Sequence, residues 1–346
     1  MDSSAHQEKH FQQYIVDRLV EQGWKLGDTQ HYDTERALYP EDLESWIKSS
    51  GQQDKWDKLE RLNGTKTLEV LMDRLHKALE KHGTMHVLRQ GFSIAGCGLI
   101  EMTETAPEDK RNQAVVERYK ANILRVVPEL KYHPAHEFAL DLVLFINGLP
   151  VATAELKTDF TQSAEVAVDQ YRNDRLPFDP KTKRKEPLLT FKRGAVVHFA
   201  MSDSEIMMAT KLEGENTFFL PFNKGKTDAN GAIHAGNPPG EIKPDGTQEY
   251  PVAYFWEDVC QPDAWLRIFH SFVYVEKKDV VDIQGNWSKK ETLIFPRFHQ
   301  WTAVNEMLAD ARKNGAGMSY LADHSAGSGK TSTISWTAHD LVQLRE

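Results

Sequence analysis

The stretch Phe138-Ala139-Leu140-Asp141-Leu142-Val143-Leu144-Phe145-Ile146-Asn147-Gly148-Leu149-Pro150-Val151-Ala152-Thr153-Ala154-Glu155-Leu156-Lys157 decides the fold. Phe138 to Ile146 is a nearly unbroken apolar run, as a central strand buried on both faces requires. Asn147-Gly148 is a hairpin turn signal, and Val151 to Lys157 reads as the returning strand. One residue interrupts the apolar run, Asp141. A carboxylate inside a buried strand is costly unless it is paired or holds a metal. Glu155 and Lys157 stand two apart on the returning strand and so share a face.

An aspartate followed by Glu-x-Lys on the neighbouring strand suits metal-assisted hydrolysis of a phosphodiester. Asp141 and Glu155 are hard oxygen ligands of the kind Mg²⁺ takes while keeping several waters. The ion polarises the phosphate and acidifies a water, and Lys157 positions that water and steadies developing negative charge. Register tests this reading. With only Asn147-Gly148 in the loop, Asp141 falls opposite Ala154 and Glu155 points away. A loop of odd length, or a bulge near Gly148, puts Asp141 opposite Glu155. The competing reading is a buried Asp–Lys pair flanking an exposed glutamate.

Outward from this hairpin, Glu8 to Gln22 has the apolar spacing of a helix, closed by Gly23. A second helix opens at Tyr39-Pro40, and a third spans Thr67 to His82. Short apolar pieces at Met85–Leu88, Gly91–Ile94 and Tyr119–Val127 read as strands. Ser163 to Asp174 reads as a helix able to pack back over the Glu155 strand, bringing Gln170 and Tyr171 towards the metal or a DNA phosphate. Ala195–Met201 and Ile206–Thr210 are further strands. Asn223 to Thr247 is a long loop, and Lys277 to Lys290 a polar linker. The densest basic stretch includes Arg172, Arg175, Lys181, Lys183, Arg184, Lys185, Lys192 and Arg193. It is either a solvated face or a local DNA contact, Arg172 and Arg175 lying nearest the proposed centre.

With 346 residues the chain has room for about two domains. The net charge of −9 argues against bulk attraction to nucleic acid, so any DNA contact must be local. Two distant cysteines exclude a disulfide or zinc-ribbon framework and fit a reducing compartment. The absence of a long apolar run excludes a membrane helix, and the polar N-terminus is no signal peptide. A cytoplasmic location is therefore expected.

Near the end, Tyr320-Leu321-Ala322-Asp323 reads as a short strand, followed by Ser325-Ala326-Gly327-Ser328-Gly329-Lys330-Thr331 and a helix from Ser332 to Leu344. This is a phosphate-binding loop in its strand–loop–helix setting, although His324 stands where the usual motif has its first glycine. Gly327, Ser328 and Gly329 bring backbone amides to phosphate. Lys330 reaches the β/γ-phosphates, and Thr331 holds Mg²⁺. Gln300 in Phe295-Pro296-Arg297-Phe298-His299-Gln300 stands about 30 residues before the loop, where helicase-like motors have a glutamine that reads adenine; the alternative is a loop-to-helix entry with an incidental amide. With so little sequence after Thr331, the acidic partner such a loop needs is not in this chain. The chain therefore reads as a fragment with an incomplete motor.

These residues together resemble the restriction (motor and endonuclease) subunit of type I restriction-modification enzymes. The resemblance runs from Phe11–Trp24 and Gly83–Phe92 through Leu140–Pro150, Ala154–Lys157, Gln170–Arg175 and Leu220–Asn223 to Phe295–Gln300 and the glycine loop. It implies a PD-(D/E)xK nuclease followed by a RecA-like superfamily 2 translocase. Asp141 and Glu155 would be metal ligands, Lys157 the catalytic lysine, and Glu8 a further acid on the first helix, one turn before Gln12. Of the family's Q-x-x-x-Y motif, Tyr171 fits the tyrosine. Ala167 stands where its glutamine would be, and Gln170 is the nearest glutamine. The implied cofactors are Mg²⁺ and, for the full-length protein, ATP. The implied partners are double-stranded DNA and the methyltransferase and specificity subunits, in a bacterial or archaeal cytoplasm. The alternative is a catalytically silent module that docks on the methyltransferase complex or DNA.

The expected fold is α/β: a mixed, mostly antiparallel nuclease-like sheet flanked by helices over 1–274, with a helical part at about 1–82. A linker at 275–290 and the truncated start of a translocase domain at 291–346 follow.

Overall fold

The computed structural model describes residues 3–107, 111–158, 163–281, 284–315, 317–324 and 327–343. Ser325, Ala326 and Leu344, all assigned above to the phosphate loop and its helix, lie outside the described residues. Among the described residues, seven strands form one mixed sheet. They are β1 (Lys25–Leu26), β2 (Leu124–Lys131), β3 (Ala139–Ile146), β4 (Leu149–Leu156), β5 (Val197–Met201), β6 (Ile206–Ala209) and β7 (Leu220–Pro221). They lie side by side in chain order. The β1–β2 and β4–β5 pairs are parallel and the other neighbours antiparallel.

Parallel neighbours need long crossovers, and here those crossovers carry the helices. Helix α1 (Ser3–Glu21) precedes β1. Between β1 and β2 come α2 (Pro40–Ser49), α3 (Gln53–Asn63), α4 (Thr67–His82), α5 (Thr84–Gln90) and α6 (Gln113–Lys120), and α7 (Ala164–Asn173) joins β4 to β5. One sheet face, with Leu142, Leu144, Ala152 and Ala154, packs on Phe11, Ile15 and Leu19 of α1 and on the apolar stripes of α2–α5. The other face, with Val143, Phe145 and Ala200, packs on Ala167, Val168 and Tyr171 of α7. The sheet is thus covered on both sides, which is why β3 and β4 are apolar apart from Asp141, Thr153 and Glu155.

The β3–β4 turn is the two-residue Asn147-Gly148. Both residues are left-handed, with φ of 49° and 83°, as the tight hairpin turn demands. Asn147 is buried, accepts the Ile123 amide and donates to the Met102 carbonyl, so the turn is fixed from outside. Ile146 pairs with Leu149 and Phe145 with Pro150, but Leu144 pairs with Ala152. Val151 is therefore an extra residue, a β-bulge. Leu142 then faces Ala154, and the next position places Asp141 opposite Glu155. An even loop with a bulge meets the register condition set by the sequence.

Elsewhere the structure departs from expectation. Met85–Leu88 belongs to helix α5, so the helical region extends to Gln90. Its apolar run is short enough to suit either state, and Gly83 and Gly91 bound a single helical segment. Of the segment 277–290, residues 282 and 283 lie outside the described residues, and 277–281 and 287–290 are not an irregular linker. They lie in an antiparallel ribbon of β8 (Tyr274–Val281) and β9 (Trp287–Ile294), pinned by Lys192–Glu291 and Lys277–Glu291 ion pairs at 2.6 and 3.1 Å. Both faces of much of this ribbon meet water, so no apolar alternation marked it. Tyr320–Asp323 is not a strand: it pairs with no strand among the described residues, and Leu321 is 94% exposed. A strand without a ladder partner has nothing to hold it extended.

After α8 (Pro262–Arg267), helices α9 (Phe298–Asn314) and α10 (Lys330–Gln343) pack against each other and onto the preceding residues. Trp336 of α10 packs its ring at an angle against Phe272 and Tyr274, with ring centres 5.3 and 6.2 Å away, and Asp340 pairs with Arg267. Among the described residues, no helix is long and apolar enough to cross a membrane.

Candidate active site

The β3–β4 bulge brings Asp141, Glu155 and Lys157 to one end of the sheet, between α1 and α7. The Asp141 carboxylate accepts the Leu156 amide at 2.6 Å. A side chain thereby takes a backbone donor near the end of the β3–β4 ladder. Glu155 is fully buried, and its Oε1 lies 2.5 Å from Arg175 Nε. Its Oε2 is buried with no hydrogen-bond partner among the described residues. Lys157 Nζ donates to the Leu156 carbonyl at 2.7 Å and to Glu8 Oε1 at 3.1 Å. Glu8 therefore reaches the cluster from α1, as the resemblance implied.

Gln12, one helical turn beyond Glu8, donates to the Asp141 carbonyl at 2.7 Å and to Glu129 Oε1 at 3.2 Å. An acid in its place would face two acceptors with no proton to give. Glu129 lies on β2 between Pro128 and Leu130, which pair with Leu142 and Leu140, so it stands across from Asp141. Its φ of 49° is unusual for a residue with a side chain. Sequence reasoning missed Glu129, and only the strand register exposes it.

Burial is the main cause that raises the Asp141 carboxyl, to about 6. Glu8 and Glu129 add to the rise, while the Leu156 amide and Lys157 oppose it. Burial and the Asp141 charge push Glu155 well above the usual carboxylate range, against the pull of Arg175 and Lys157. Two carboxyls that resist ionisation side by side, one with an unpartnered oxygen, form a donor set suited to a hard divalent cation.

The α7 residues take different roles from those expected. Tyr171 is fully buried, and its hydroxyl meets Thr153 Oγ1 at 2.7 Å, which in turn meets His198 Nδ1 at 2.8 Å. It supports β4 one register step from Glu155 and cannot reach a phosphate on the surface. Burial lowers His198 to about 3, so it is neutral there. Arg175 is an internal partner of Glu155, not an exposed DNA contact. Arg172 is half-exposed and donates to the Thr217 carbonyl at 3.2 Å. Gln170 is half-buried on the same helix.

The glycine loop is remote in sequence from this cluster. Gly327 and Gly329 have φ of 76° and 83°, and Lys330 begins α10. Gln300 is buried. Its Oε1 accepts the Arg297 amide and its Nε2 donates to the Ser328 and Gly329 carbonyls, each at 3.0 Å. In this structure Gln300 staples the loop to the start of α9. Lys330 and Thr331 are exposed at the helix N-terminus.

The sequence profile described as Type I restriction enzyme R protein N terminus matches residues 6–217. The chain belongs to this family. The match takes in Glu8, Asp141, Glu155, Lys157 and all of α7, and stops before the glycine loop. The cluster at the β3–β4 bulge thus falls in the nuclease region of a type I restriction enzyme R protein. No curated protein matches the chain.

Proposed function

We propose that this R protein N terminus is a Mg²⁺-dependent endonuclease that cleaves double-stranded DNA. The observation that carries the reading is the bulge at Val151, which sets Asp141 opposite Glu155, whose Oε2 is buried without a partner among the described residues. Asp141 and Glu155 would hold Mg²⁺, with Glu8 nearby as a further acid. Bound there, Mg²⁺ polarises the scissile phosphate and acidifies a water. Lys157 orients that water and balances charge developing on the phosphate, and its Glu8 contact keeps the ammonium at the cluster. Gln12 fixes the β3 backbone at Asp141, and Arg175 holds Glu155 in place from behind.

By the same reading, Gly327–Thr331 with Gln300 takes ATP in the full-length protein, which couples cleavage to DNA translocation through a RecA-like motor beginning near residue 291. The partners are DNA and the methyltransferase and specificity subunits, in a bacterial or archaeal cytoplasm. The test is calorimetric titration of Mn²⁺ into the chain and into Asp141→Ala. It is paired with DNA cleavage by the assembled complex carrying Asp141→Ala or Lys157→Ala. Loss of binding in the first variant and of cleavage in both is expected. Cleavage that survives both substitutions would sink the reading.

A second reading, a silent docking module, draws on the ion pairs that already engage Lys157 and Glu155. Tight DNA or subunit binding with no metal uptake by wild type would favour it.

A further inference from the structure

A second cluster lies where the segment before β3 meets the segment after α7. His133 and His136 have ring centres 4.4 Å apart. Their Nε2 atoms lie 3.5 and 3.4 Å from the same atom, Asp179 Oδ2. These separations are long for hydrogen bonds, whose usual range ends near about 3.2 Å. They match the edge of a tetrahedron around zinc. Metal–nitrogen and metal–oxygen distances of about 2.0–2.2 Å put neighbouring ligand atoms about 3.4 Å apart. One ligand atom from each of the three residues lies within 4.8 Å of the other two.

Asp179 is held for this geometry. Its Oδ1 accepts the Lys181 and Thr182 amides at 2.8 and 2.7 Å, which leaves Oδ2 turned to the imidazoles. Beside the cluster is a cavity of about 360 Å³ walled by Tyr132, Phe138, Phe178 and Glu186. Glu186 is only 4% exposed, and its Oε1 has no hydrogen-bond partner among the described residues.

We propose that His133, His136 and Asp179 bind a zinc-class divalent transition metal, distinct from the Asp141–Glu155 centre, with the Glu186 cavity leaving room for a further ligand. Two imidazoles and one carboxylate select such an ion over Mg²⁺, which prefers oxygen. The ion clasps the segment leading into Asp141 to the segment leaving Arg175. It acts as a structural cross-link next to the nuclease cluster. Binding through Nε2 moves the His133 ring proton to Nδ1 and gives up the Ala135 amide contact there, at 3.1 Å.

The probe is Co²⁺, titrated into the metal-stripped chain and followed by visible absorption. We expect the intense ligand-field band of four-coordinate Co²⁺, saturating at one ion per chain and displaced by Zn²⁺. It should persist in Asp141→Ala and weaken by about tenfold or more in affinity in His136→Gln and Asp179→Asn. Uptake without that band, a band unchanged in both variants, or a band lost in Asp141→Ala would overturn the proposal. Should a variant melt early, wild-type chain treated with diethyl pyrocarbonate reads the same contact. Zn²⁺ should protect His133 and His136, and equal labelling with and without Zn²⁺ would overturn the site.

Discussion

Arg175 Nε lies 2.5 Å from Glu155 Oε1, and this ion pair sits inside the protein rather than at its surface. The sequence placed Arg175 in a basic stretch, but its position two residues past the end of α7 folds it back under β4. A buried pair adds little net stability, yet breaking it by removing one partner is expensive. Arg175→Gln is therefore expected to cost about 3–5 kcal/mol in urea denaturation. Adding Glu155→Gln should recover much of that loss. A single variant within about 1 kcal/mol of wild type would show that the pair is not what holds Glu155.

Tyr171 leads to a different expectation. Its hydroxyl meets Thr153 within a sealed interior, beside a His198 kept neutral by burial. Tyr171→Phe should lose one hydrogen bond, about 1 kcal/mol in thermal or urea unfolding. Mn²⁺ affinity should change by less than about twofold, because the hydroxyl bonds Thr153 rather than either carboxylate. A large fall in affinity at unchanged stability would return Tyr171 to the reacting groups.

What the sequence revealed follows from how each feature is encoded. The β3–β4 hairpin was legible because two apolar strands and an Asn-Gly turn are local signals, and its Asp, Glu and Lys stood out against the apolar background. Glu129 was not legible, since its importance comes only from the register of β2 against β3. The place of Arg175 was misread for the same reason: a charged side chain reads as solvent-facing until tertiary contacts bury it. The β8–β9 ribbon escaped because both its faces carry polar residues and no period distinguishes it from a linker.

The bulge at Val151 depends on the turn that precedes it. At Gly148 a Cβ would stand 2.6 Å from the Tyr39 carbonyl oxygen and 2.7 Å from Leu43 Cγ, on a backbone with φ of 83°. Left-handed strain and overpacking together predict a loss of about 2–4 kcal/mol for Gly148→Ala. Asn147→Gly keeps the backbone freedom but removes the bonds to Ile123 and Met102, so it should cost less. Denaturant midpoints for the two variants in one buffer decide this, and equal losses would mean that the space at 148 is not limiting.

The pH dependence of the site has an unusual sign for an aspartate. Asp141 is held near about 6, first by burial and then by Glu8 and Glu129, whereas an unfolded aspartate titrates near about 3.9. The folded state thus binds this proton more tightly than the unfolded chain. The stability gained is complete below about pH 3.9 and is lost as pH rises through about 6. At about pH 7 the ionised carboxylate opposes the metal-free fold by up to about 2–3 kcal/mol. Asp141→Asn should therefore be more stable than wild type at about pH 7 and lose that advantage near pH 4, as read by urea denaturation without metal. Divalent binding reverses the balance, because a cation needs the ionised form and must release the proton. Mn²⁺ affinity of wild type should rise by roughly tenfold between about pH 5 and 7, while Asp141→Asn gains no such increase. Matching pH profiles for the two proteins, in stability and in Mn²⁺ binding alike, would show that Asp141 does not govern this end of the sheet.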